Sequence, residues 1–134
     1  MRTAIFASLL VLPLLSGCVA AVAAGAIGGL VLGQEVINNN VYETRLNLDV
    51  SKVWPVVKTT LSDASLETIE IDESIRLAKA RIDGASVSVT CEAYDLDKTI
   101  MRTRATKYAG TINDAEMART IQDRIIARLD KLQQ

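Results

Sequence analysis

No histidine occurs among the 134 residues. That absence removes imidazole acid–base chemistry, Ser-His and Cys-His nucleophile pairs, and the commonest zinc sites. Aromatic residues are only 4% of the chain, with a single tryptophan, Trp54. Neither sign of charge dominates: 15 Lys+Arg against 16 Asp+Glu give a formal net charge of −1. The basic excess typical of a nucleic-acid binder is therefore missing. No glycine-rich loop links a strand to a helix, so a phosphate cradle of that kind is also missing. What charge there is sits unevenly. Residues 1–34 carry only Arg2, and residues 35–134 carry the other 14 basic and all 16 acidic side chains. About 100 residues remain for a folded unit, enough for one domain and not two.

The beginning of the chain reads as an export signal. Arg2 is the short positive start, and Ala4 to Leu15 form the apolar middle. Leu15-Ser16-Gly17-Cys18 follows, with small residues ahead of a cysteine. Small residues let the chain lie extended in a peptidase groove. The tetrapeptide resembles the lipobox of bacterial lipoproteins. That resemblance implies a diacylglycerol on the Cys18 thiol, cleavage that removes the signal peptide 1–17, and acylation of the new amino group. Two or three acyl chains hold a protein stably to a bilayer, where one does so only marginally. Residue 19 is Val and not Asp. If the source is Gram-negative, the lipoprotein sorting rule then implies the outer membrane, periplasmic face. Membrane lipid is thus the expected partner of the N-terminus, and an envelope protein of unknown identity the expected partner of the rest.

Residues 19–33, VAAVAAGAIGGLVLG, hold no charge, no hydrogen-bonding side chain and no proline. As a helix they would span about 22 Å, short of the ~30 Å hydrocarbon core. Two readings stand. Residues 18–40 are a small-residue tether, flexible or shallowly inserted; or Gly25, Gly29 and Gly33 form a smooth helical stripe for self-association. The Asn38-Asn39-Asn40 run is turn-forming, which places the start of the domain at residue 41.

Residues 41–134 predict an α+β domain of order β-α-β-β-β-β-α. About five antiparallel strands would carry two helices on one face. Val41 to Asp49 alternates, and Ser51 looks like a cap for a helix whose apolar stripe includes Val53, Trp54, Val57 and Leu61. Leu66 to Asp72 and Ile75 to Ile82 read as strands, and Asp83-Gly84 is a hairpin signal. Ala85 to Tyr94 points Val87, Val89, Cys91 and Ala93 inward. Thr99 to Tyr108 returns after a three-residue loop that sets Glu92 beside Arg102 and Thr90 beside Arg104. Asn113 with Glu116 fits a capping box for a last helix with the stripe Ala118, Ile121, Ile125, Leu129, Leu132. The lipobox, the Ala/Gly-rich segment, a helix opening Ser51-Lys52-Val53-Trp54, the Asp-Gly hairpin and the terminal amphipathic helix together resemble a family of small bacterial lipoproteins with one C-terminal domain of unknown function. That resemblance implies no catalytic residues.

The domain offers few groups for chemistry. Cys91 lies on an apolar strand face and reads as an inert core thiol. Glu70, Asp72 and Glu73 lack the spacing of a calcium loop. Lys79, Arg81, Arg102 and Arg104, with Lys107 nearby, fall on the outward face of their strands as a candidate basic surface, unless cross-strand carboxylates neutralise them. No metal, no cofactor beyond the lipid on Cys18, and no enzymatic activity are expected.

Overall fold

A computed structural model describes residues 29–38 and 40–134. The signal peptide, Cys18, Gly25 and the rest of the tether up to Gly28 lie outside the described residues. The elements are β1 (Val31–Ile37), β2 (Val41–Leu46), α1 (Val50–Ala64), β3 (Glu70–Asp72), β4 (Leu77–Ile82), β5 (Ala85–Asp95), β6 (Lys98–Lys107), β7 (Ile112–Asn113) and α2 (Ala115–Gln133). All strands join one open antiparallel sheet in the order β1-β2-β6-β5-β4-β3, and β7 pairs the end of β6. α1 packs on β4 and β5, α2 on β6 and β2, and the helices on each other. The described residues are α+β as expected, with seven strands in place of about five.

The largest correction is at the front. Residues 31–37, assigned above to the tether, form an edge strand paired with β2 from Val31–Leu46 to Ile37–Val41. Leu30 is 1% exposed and belongs to the hydrophobic core. The sheet thus begins ten residues ahead of the expected boundary at 41. A bulge between Val31 and Gly33 breaks the alternation that would have marked the strand. Gly33 lies within β1, and Gly29 turns the chain with φ +75°. These two glycines therefore do not share a helical stripe.

Both helix caps move by a residue or two. Asp49, not Ser51, caps α1: its carboxylate accepts from the Ser51 N–H at 2.7 Å. Asp114, not Asn113, caps α2 and accepts from the Met117 N–H at 3.1 Å. Each satisfies one of the N–H groups that a helix start leaves unpaired. The expected stripe of α2 is buried from Ala118 to Leu129, but Leu132 is exposed on the last turn.

The Asp83-Gly84 hairpin is present, with both residues at positive φ (49° and 78°), as a type I′ turn requires. The β5–β6 hairpin turns tighter than expected. Asp95 pairs Lys98 across Leu96-Asp97, and a bulge lies between Ala93 and Asp95. Thr90 therefore faces Arg102, and Ser88 faces Arg104. Ala93, expected inward, is exposed beside that hairpin tip.

Candidate functional site

Both helices lie on one face; among the described residues nothing covers the other, whose residues follow from strand alternation. Starting from the inward Val87, Val89, Met101 and Ala105, the outward positions are Ser86, Ser88 and Thr90 on β5, and Arg102, Arg104 and Thr106 on β6. On β4 they are Leu77, Lys79 and Arg81. Register aligns them in rows across the sheet. One row runs Lys79–Ser88–Arg104, and the next runs Arg81–Ser86–Thr106. Neighbouring strands are about 4.8 Å apart, so the Lys79 and Arg104 backbones stand roughly 10 Å from each other with a serine between them.

The four basic residues singled out in the sequence do not share one role. Arg102 is engaged in the sheet. Its Nε donates to Glu43 Oε2 at 2.8 Å and its Nη1 to Glu92 Oε2 at 2.9 Å. Carboxylates Glu92 and Glu43 hold its pKa above the ordinary arginine value. The Glu92–Arg102 pair expected from the sequence is formed, but diagonally, because Glu92 faces Ile100 in register. Glu43, which alternation places outward but which was not singled out, is the centre of this cluster. Its side chain is 7% exposed, and Arg45 also approaches it at 3.6 Å.

Lys79, Arg81 and Arg104 are different. All three are exposed, and among the described residues none has a carboxylate within 4.0 Å. The hydroxyls of Ser86, Ser88 and Thr106 occupy the gaps between them. Lys107 does not extend this trio, because its Nζ lies 2.9 Å from Asp114 Oδ2. The outer face is polarised lengthwise. Toward the β5–β6 hairpin it carries Asp72, Glu43 and Glu35 in the row of Arg102, then Glu92 in the following row. Asp95 and Asp97 close that end and bind Lys98. The unpaired cations stand at the opposite end, where Glu70 faces Lys79 in register without forming an ion pair.

Cys91 is 2% exposed, and burial pushes its thiol up to about 12, leaving almost no thiolate at neutral pH. Among the described residues no group of three or more acidic or cysteine side chains is placed to hold a metal ion, and no helix is long and apolar enough to cross a membrane. An open groove between the helices is lined by Leu48, Pro55, Val56, Leu129 and Leu132, together with Lys52 and Gln133. No acid–base pair converges there, as a reactive pocket would require. No protein-family model matches this chain, and no curated protein matches it either.

Proposed function

We propose that this chain is a bacterial envelope lipoprotein, anchored through lipid on Cys18 to the periplasmic face of the outer membrane. Its α+β domain acts as a non-catalytic interaction module. Leu15-Ser16-Gly17-Cys18 behind Arg2 and an apolar run supports the anchor. The observation that carries the interaction reading is the trio Lys79, Arg81 and Arg104, exposed on the sheet face away from the helices and, among the described residues, without ion-pair partners. Surface cations are normally screened or paired at little net gain. Three left unpaired on one flat face provide a contact surface for an anionic partner.

The anchor is tested by metabolic labelling with palmitate and by fractionation of the envelope. The native chain should label and follow the outer membrane. Cys18→Ala should accumulate as an uncleaved precursor without label. Persistent labelling of that variant would sink the reading.

A further inference from the structure

We infer that the basic end of the outer sheet face docks an anionic polysaccharide, a polymer with a carboxylate on successive sugars, presented from the side away from the anchoring membrane. This rests on the lipoprotein reading above and adds to it the class of partner and its direction of approach.

The direction follows from where the described chain comes in. The Leu30 carbonyl accepts from the Asn47 N–H at 2.8 Å, and Val31, Leu46 and Thr99 lie side by side. The N-terminal segment therefore joins the sheet at its acidic end, level with the start of β6. Arg104 is five residues farther along β6, about 17 Å, and the row of Arg81 about 23 Å, at roughly 3.3 Å per residue. Ten residues, 19–28, separate Cys18 from Gly29, a reach of at most about 35–40 Å fully extended. Those ten residues carry no charge or hydrogen-bonding side chain, so they partition toward the bilayer and not into water. The end of the domain that the anchor segment joins is then the one bearing Glu35, Glu43, Glu92, Asp95 and Asp97. The unpaired cations face the opposite way.

The partner class follows from what surrounds those cations. A protein interface needs an apolar or aromatic anchor at its centre. Between Lys79, Arg81 and Arg104 the register places Ser86, Ser88 and Thr106, while Glu70 and Val41 flank the row at the Lys79 and Arg104 sides. Nucleic acid would call for several stacking aromatics or a wider basic field, and the rows that hold the trio contain neither. Hydroxyls alternating with cations across adjacent strands suit a hydrated, hydroxyl-rich polyanion. Each contact is weak, and repetition along the polymer supplies avidity.

The test uses the mature lipidated chain, residues 18–134, in neutral detergent. Binding is measured to immobilised polygalacturonate, to neutral dextran, and to vesicles of anionic phospholipid. Polygalacturonate should bind saturably and weaken as salt is raised from about 0.05 to 0.3 M. The variant Lys79→Ser/Arg81→Ser/Arg104→Ser should bind about tenfold or more weakly, the sum of three exposed charge pairs. Lys52→Ser/Arg124→Ser/Lys131→Ser removes the same charge from the helical side and should stay within about twofold of native, since distant rim charges contribute little. Trp54 fluorescence reports that each variant is folded. No binding by the native chain, equal losses in both triple variants, or trio-dependent binding tighter to vesicles than to polygalacturonate would each overturn the proposal. Palmitate labelling is read separately, so a failed anchor and a failed docking surface give different results.

Discussion

Leu30 decides where this domain begins. Its side chain is 1% exposed and sits in the core cluster, although it belongs to a stretch that composition alone reads as tether. Leu30→Ala deletes three buried carbons. Transfer alone accounts for about 2.4 kcal/mol at ~0.8 kcal/mol per methylene. The cavity left behind adds to this, within the usual range of about 2–5 kcal/mol. A loss of about 3 kcal/mol lowers the folding equilibrium constant by roughly two orders of magnitude. With a urea slope of roughly 1.5 kcal/mol per M, the unfolding midpoint falls by about 2 M. Trp54 reports the transition: it is the only tryptophan, it is buried, and its indole N–H donates to Glu73 Oε2 at 2.5 Å. Leu32→Ala is the internal control. Leu32 is 49% exposed, so its truncation should cost less than about 1 kcal/mol. The measurement is made on residues 19–134, free of lipid. If Leu30→Ala costs no more than Leu32→Ala, residues 29–37 are not part of the cooperative unit and the domain starts at 41.

The remaining expectations concern the interior and one helix cap. Cys91→Ala should cost on the order of 1 kcal/mol, and maleimide should label native Cys91 at least about a hundredfold more slowly than the denatured chain; fast native labelling would revive a reactive role. Thr103 Oγ1 is buried with no hydrogen-bond partner among the described residues, so Thr103→Val should stabilise by about 1 kcal/mol, since an unpaired buried hydroxyl costs roughly that much. Destabilisation in the same denaturation assay would show that the hydroxyl has a partner. Lys107 beside Asp114, with a further contribution from the Met117 N–H, holds the Asp114 carboxyl below its usual value. A depressed carboxylate stabilises fully above its unfolded pKa, near 4, and loses that contribution as pH falls toward the folded value. The stability gap between native and Asp114→Asn should therefore shrink as pH drops from about 5 to below 4; a gap independent of pH would mean the ion pair contributes nothing.

The local sequence was enough wherever short-range physics decides the outcome. Alternation through Val87, Val89 and Cys91 marks a half-buried strand, Asp83-Gly84 tolerates the positive φ of a tight hairpin, and the spacing of Ala118, Ile121, Ile125 and Leu129 makes one helix face. From these the α+β class and the outward position of Lys79, Arg81, Arg102 and Arg104 were legible. Tertiary structure alone decided the rest. β1 is an edge strand with a bulge and half-exposed side chains, so only its pairing with β2 identifies it, and only its place in the sheet removes Gly29 and Gly33 from a helix. The β5–β6 register depends on a bulge near Asp95 that no residue type announces. Whether a surface arginine is free depends on what lies across the sheet. Glu43 reaches Arg102 from 59 positions away, while Lys79, Arg81 and Arg104 have no carboxylate within 4.0 Å among the described residues, although Glu70 faces Lys79 in register. Charge pairing over such separations is set by which strands become neighbours, and that is information no local window of sequence contains.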